Sequence, residues 1–374
     1  MLDLEQLLRL AVDERASDVH LKVGARPHVR VDGALVETAL DVLEAADTEQ
    51  AARVLLGAGG GLDEDREADS VHSVQGLGRF RVSGFRQQGF VGLVLRRVVP
   101  GVPAIDALGL PDAATRLAES TSGLVLVCGL AGSGRTSTLA SMVDHVNATR
   151  PCHIVTIEQP VEVLHADKRA VVDQREVRTD TASVLTALRA ASHQDPDVVV
   201  VGSLPDPDAT LAALESADAG RLVLAVTQAV GVVDAVSRLV DSFSPSQRAP
   251  VRALLARTLR GVLCQRLVPR AGGRGRVPAV EVLMVHAPAA AAIADADGAP
   301  RLETLIADGE FYGMQTFDQS LATLYGRGLV TREDALAHAV YEPGLAVMLD
   351  GADRERAEAP LPPSPSSPSA VGAA

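Results

Sequence analysis

Gly129-Leu130-Ala131-Gly132-Ser133-Gly134-Arg135-Thr136 is the stretch that decides the fold. It follows an apolar run at 124–128 with the length of a buried strand. It precedes Leu139, Met142, Val143 and Val146, which recur at helical spacing. A glycine loop between strand and helix is the context that a phosphate-binding loop requires. The glycines let successive backbone N–H groups curl around an anion, and the helix N-terminus adds partial positive charge. Gly129, Gly132, Ser133, Gly134, Arg135, Thr136 and Ser137 are therefore the expected phosphate-binding residues, with the Thr136 hydroxyl placed to ligand Mg²⁺. The pattern asks for lysine at 135, and the chain has arginine. A guanidinium is planar and larger than an ammonium, so it would hold a phosphate in a displaced position. Lys22 and Lys168 are the chain's lysines, so the exchange reads either as compositional drift or as relaxed selection on catalysis.

Outward from the loop, runs at 154–157, 198–201 and 222–226 alternate with helical stretches. That predicts an open, mostly parallel sheet, followed by helical regions at 247–265 and 319–339. Upstream the pattern changes. Leu4, Leu7, Leu8, Ala11 and Val12 predict an amphipathic helix, and Val19, Leu21 and Val23 alternate as in a half-buried strand. Residues 29–31 and 34–36 predict a hairpin turned by Asp32-Gly33, and 79–82 and 91–99 predict further strands. The expected organisation is α/β overall. A small α+β domain spans 1–100, a linker 101–107 is marked by Pro100-Gly101-Val102-Pro103, a nucleotide-loop domain spans 108–350, and a Pro/Ser/Ala-rich tail, predicted disordered, spans 351–374. No internal repeat is visible.

A net charge of −13 argues against a protein that coats DNA or an anionic membrane. Cys128, Cys152 and Cys264 form no CxxC pair and no cysteine–histidine cluster, which supports neither a disulfide framework nor a zinc ribbon and fits a reducing cytoplasm. The acidic first residues lack a secretory apolar core, and the longest apolar runs are strand-sized, so no transmembrane segment is expected.

Six further segments carry a family resemblance. They are Arg15-Ala16-Ser17-Asp18-Val19-His20-Leu21, the strand Arg79-Phe80-Arg81-Val82-Ser83-Gly84-Phe85-Arg86-Gln87, and the acidic box Ile154-Val155-Thr156-Ile157-Glu158-Gln159-Pro160-Val161-Glu162. Then come Val172-Asp173-Gln174-Arg175-Glu176-Val177, the Walker B region from Asp195-Pro196-Asp197 to Gly202, and Gly313-Met314-Gln315-Thr316-Phe317-Asp318-Gln319-Ser320-Leu321. Taken in order, the chain resembles the hexameric type IV pilus retraction ATPases. The resemblance implies a PAS-like N-terminal α+β domain, a RecA-like P-loop NTPase domain, and ATP or ADP with Mg²⁺ between them. It also implies a homo- or mixed hexamer with an active pilus ATPase, twitching motility as the setting, and an inner-membrane pilus platform protein as partner. The expected location is then cytoplasmic, peripheral to the inner face of the membrane.

The departures from that family cluster at its chemistry. The Walker B strand ends Gly202-Ser203 where the family has Gly-Glu, and serine cannot accept a proton from the attacking water near neutral pH. Pro205-Asp206 replaces Arg-Asp, Gln159 replaces aspartate in the acidic box, and His193 replaces an arginine. Gln228 stands in a box that has lost both histidines, whereas the fold-defining glycines survive. This pattern predicts a nucleotide-binding but catalytically impaired paralogue acting on the retraction motor. The alternative is an active motor with Glu158 and Glu162 as catalytic residues, Glu158 also near Mg²⁺, and Arg135 serving the phosphates. A DNA-handling RecA-like NTPase is a third reading, opposed by the acidic charge. Arg79, Arg81 and Arg96 align with N-terminal arginines that reach nucleotide across a subunit boundary in the family. Four features are assigned ordinary structural roles: His153 and His165 as surface or packing residues, Asp180 as a helix cap, 63–67 as a solvated acidic loop, and Cys128 as a small core residue.

Overall fold

Residues 2–31, 33–57, 62, 67–98, 101–273 and 275–358 are described by a computed structural model, the side chains of 355–358 excepted. The chain divides into two units, Met1–Pro103 with Pro160–Asp167, and Ala104–Gln159 with Lys168–Ala374.

In the first unit α1 (Leu4–Asp13) is capped by the Asp3 carboxylate, which accepts from the Gln6 N–H, and it buries Leu7, Leu8 and Ala11. Then come β1 (Asp18–Leu21), β2 (His28–Val31), β3 (Ala34–Glu37), α2 (Ala45–Leu56), β4 (Glu67–Val74), β5 (Gly78–Gln87) and β6 (Phe90–Val98). The six strands form one sheet in the order β3-β2-β1-β6-β5-β4, antiparallel throughout. Inward-facing Val19, Val29, Phe80, Val82, Leu93 and Leu95 make the core with Leu7, Leu8 and Leu55. In the expected hairpin Val31 pairs with Ala34, and Gly33 has φ 87°. Asp32 lies outside the described residues, as do 63–66 of the acidic run and Pro100 of the linker. Glu67, read as the end of an acidic loop, instead opens edge strand β4.

Asp18 illustrates how the sheet's other face is held. Its carboxylate is almost fully buried and accepts from the Ser17 hydroxyl at 2.8 Å and from Arg96 Nε at 2.9 Å. Burial alone would raise its pKa, but the Ser17 hydroxyl and the Arg96 guanidinium outweigh it and hold the carboxyl below its ordinary value. A depressed carboxyl pKa contributes stability that is present above the unfolded-state value and lost as pH falls through the folded one. Asp18→Ala is therefore expected to cost about 2 kcal/mol at neutral pH. The gap between mutant and native melting temperatures should begin to narrow below about pH 4 and close only below the lowered folded-state pKa, which thermal unfolding across pH checks.

The second unit begins with a short 3₁₀ turn, Ile105–Leu108, whose Ile105 is buried in the core. The segment expected to link the domains thus contributes a core side chain at Ile105. Next are α3 (Ala113–Ala118), β7 (Gly123–Cys128), α4 (Arg135–Thr149), β8 (His153–Glu158), β9 (Val171–Glu176), α5 (Val184–Ala191), β10 (Val198–Val201), α6 (Pro207–Asp218) and β11 (Leu222–Thr227). They are followed by α7 (Val232–Asp241), α8 (Pro245–Thr258), β12 (Leu259–Pro269), β13 (Arg276–Met284), α9 (Ala287–Ala294), α10 (Ala299–Ala307), α11 (Phe317–Gly326), α12 (Arg332–Ala337) and α13 (Glu342–Glu358). The sheet order is β13-β12-β7-β11-β10-β8-β9, parallel except for β13. Every residue of β7 and β10 is buried, as in a parallel sheet covered on both faces. Alternate residues serve opposite cores. Leu124, Leu126, Val199 and Val201 face one helix layer, while Val125, Val127, Val198 and Val200 face the other.

Three further expectations change. Residues 259–265 are strand β12, not helix, whereas the 319–339 region is helical as expected, in two helices parted where Gly328 takes φ 70°. Ser183 caps α5, whereas the Asp180 carboxylate accepts from the Glu176 N–H. Residues 351–358 continue α13, because Asp353 accepts from the Tyr325 hydroxyl and pairs with Arg332, which also pairs with Asp350. The tail from 359 lies outside the described residues.

Candidate functional site

Parallel strands end at one edge of a sheet, and here that edge gathers the residues singled out by the sequence. Cys128 pairs with Thr227, so the loop after β7 emerges beside Gln228. Ile157 pairs with Val201, so Glu158 emerges beside Gly202-Ser203.

Gly129, Gly132 and Gly134 take φ of 149°, 78° and 88°. At Gly129 a Cβ would sit 2.3 Å from Ser133 Oγ and 2.5 Å from the Gln265 carbonyl oxygen, so glycine is required there. Gly134 is the N-cap of α4 and offers no side-chain acceptor to the first-turn N–H groups, which leaves those donors facing out of the loop. Ser133 Oγ is buried without a hydrogen-bond partner among the described residues. A glycine cradle, unclaimed helix donors and an orphaned hydroxyl fit an anion such as a phosphate. Thr136 and Ser137 are exposed at the start of α4.

Arg135 occupies the lysine position, but its Nη1 donates to the Thr227 carbonyl at 3.0 Å. The guanidinium is thereby anchored to the end of β11. It borders a cavity of about 620 Å³ whose wall also includes Ser203, Asp206, Thr210, Gln228 and Arg238. Asp206 is the wall's carboxylate, and its Oδ1 accepts from the Ala209 N–H at 2.7 Å as the cap of α6. Glu158 is not part of this wall. Its Oε1 accepts from the Thr156 hydroxyl at 2.7 Å and from Gln174 Nε2 at 3.3 Å. A Cβ at Gly202 would lie 3.5 Å from Glu158 Cγ, so the two strand ends abut.

Glu162 belongs to the 160–167 segment that groups with the first unit, although the sequence reading put it in the second domain. Arg79, Arg81 and Arg96 are also in the first unit. Arg81 stands opposite Arg96 across β5 and β6, and Arg79 lies on the same face of β5. Arg96 donates to Asp18, and Arg81 lies 3.8 Å from the Asp69 carboxylate. Among the described residues no group of three or more His, Cys, Asp or Glu side chains could hold a metal. His153 bonds to Asp173 and to the Gln194 carbonyl. Cys128 is fully buried with its thiol directed at the Leu263 carbonyl; the neighbouring Cys264 thiol and burial both push its pKa up.

Sequence reasoning passed over Gln265, which bonds to the loop from β12, and Arg238, which lines the cavity from α7. Gln265 carried a signal: it is a polar side chain closing the apolar run Val262-Leu263-Cys264, which becomes conspicuous once that run is read as a strand.

The family model described as "Type II/IV secretion system protein" matches residues 2–306. The type IV pilus retraction ATPase PilT of Pseudomonas aeruginosa is 36% identical over 336 residues, 89% of this chain and 97% of the relative. The type IV pilus ATPase PilU of the same organism is 34% identical over 350 residues, 93% of this chain and 91% of the relative. A crystal structure of the pilus retraction motor PilT with bound ADP superposes with a TM-score of 0.84 at 36% identity, covering 93% of this chain and all of that one. A shared fold and identity across nearly the whole length agree with the motifs, and the chain belongs to the type II/IV secretion system protein family as a PilT-like member.

Proposed function

We propose that this protein is a nucleotide-binding, catalytically impaired member of the pilus ATPases that acts on a type IV pilus retraction motor. The observation that carries the reading is the cavity beside Arg135. Ser203 stands in its wall where the family places the water-activating glutamate, and its carboxylate, Asp206, is committed to capping α6. The loop keeps what phosphate binding needs, namely backbone donors and a close-packed glycine path. Mg²⁺ would be held by the Thr136 hydroxyl and phosphate oxygens. That ion commonly takes one or two protein ligands beside the phosphates, so a preassembled cluster is unnecessary. Glu158 stands near the strand ends as a further candidate ligand.

The ADP in the PilT crystal structure supports ADP or ATP as the ligand here. The same kinship supports the reading that the chain assembles as a homohexamer, or as a mixed ring with an active pilus ATPase, and works at the cytoplasmic face of the membrane against a platform protein. Among the described residues no helix is long and apolar enough to cross a membrane. The net charge of −13 disfavours the DNA-handling reading. A second reading, an active motor using Glu158 or Glu162 with Arg135 serving the phosphates, draws on the close approach of Glu158 to Gly202. Calorimetric titration with ADP and Mg²⁺ tests the binding claim. Saturable binding near one ADP per chain is expected, and no binding at millimolar ADP would refute it.

A further inference from the structure

We infer that Gln265 is a positioning residue that holds the phosphate loop in shape from the neighbouring strand. Its side chain is almost fully buried and both polar ends are spent on the loop and its helix. Nε2 donates to the Ser133 carbonyl at 2.5 Å, and Oε1 accepts from the Thr138 hydroxyl, itself buried, at 2.8 Å. Ser133 lies just before the helix cap and Thr138 in the first turns of α4, so one carboxamide fixes the junction where the backbone must change from loop to helix. The residue's own backbone bounds the other end. A Cβ at Gly129 would strike the Gln265 carbonyl, and one at Gly134 would come within 2.9 Å of Nε2. β12 thus crowds two of the three glycines, Gly129 through the backbone carbonyl of residue 265 together with the Ser133 hydroxyl, and Gly134 through the Gln265 amide itself. Cys264 pairs with Cys128 in register, which sets this strand at a fixed height against the loop's root. A buried amide with both ends satisfied is costly to misplace, so the loop inherits its geometry from β12.

The loop-shaping role stands without a ligand; its service to phosphate binding rests on the reading proposed above. Gln265→Met keeps the volume and removes both bonds, and Thr138→Val removes one bond where the first variant fails to fold. Gln315→Met is the comparison: Gln315 donates at 2.7 Å to the carbonyl of Val280, the residue opposite Gln265 on β13, so it disturbs the same strand pair without touching the loop. Two readouts are taken on the full chain: hydrogen exchange of residues 130–138 without ligand, and the Kd for ADP. Gln265→Met should speed loop exchange and weaken ADP each by roughly tenfold, the scale of one or two lost buried hydrogen bonds. Gln315→Met should alter neither beyond twofold. Unchanged loop exchange in Gln265→Met and Thr138→Val would overturn the inference, as would an equal effect from Gln315→Met. Faster exchange with unchanged ADP affinity would overturn the positioning role. If the native chain bound no ADP, the proposed function would fall, while loop exchange would still decide for or against the loop-shaping role of Gln265.

Discussion

Ser203→Glu combined with Arg135→Lys is expected to raise ATP turnover by about 10²–10⁴-fold, the usual contribution of a positioned general base. Ser203 follows Gly202, whose N–H donates to the Ile157 carbonyl, so its backbone is fixed at the strand end and its side chain borders the cavity. A glutamate there would enter a space of about 620 Å³ in which Asp206 is already engaged as a cap. Lysine at 135 would replace a guanidinium tethered to the Thr227 carbonyl with a compact charge able to sit between phosphates. Phosphate release by native, single and double variants checks the prediction. Glu158→Gln separates the rival: if the native chain hydrolyses through Glu158, that variant abolishes turnover. On the present account it changes little, because the Glu158 carboxylate is held by Thr156 and Gln174.

Gly129→Val is expected to abolish ADP binding, with a loss of at least about a hundredfold in Kd. The side chain would meet Ser133 Oγ at 2.3 Å and the Gln265 carbonyl at 2.5 Å, and the latter is backbone within the central sheet that cannot give way. The φ of 149° adds strain for a β-branched residue. Gly132→Ala is the milder comparison, since nothing lies within 4 Å of its Cβ position and only the positive φ opposes it. Equilibrium binding beside thermal unfolding distinguishes a broken loop from a broken fold. A Gly129→Val protein that binds ADP like the native one would contradict the cradle geometry.

Legibility in the sequence followed burial. β7 and β10 are buried along their whole length, so their apolar runs were plain, and the glycine loop after β7 announced its own turn. Edge strand β4 was missed because Glu67-Ala68-Asp69-Ser70-Val71-His72-Ser73-Val74 is only partly buried and shows no strict alternation. β12 was read as helix because Leu254, Leu255, Leu259 and Val262 keep a helix-like spacing across the junction with α8. That misreading concealed Gln265. Arg238 was missed because an arginine on an amphipathic helix looks the same whether it faces solvent or a cavity. The grouping of Glu162 with the first unit was invisible, since a short segment between Pro160 and Asp167 carries no mark of the unit it packs with.

Steady-state phosphate release by the purified native chain, with Mg²⁺ and saturating ATP, bears most directly on the claim that the loop has outlived the chemistry. Turnover at least about a hundredfold below ~1 s⁻¹ is predicted, the deficit expected when the water-activating carboxylate is missing. Turnover of about 1 s⁻¹ or faster, in the range of ordinary enzymes, would contradict it.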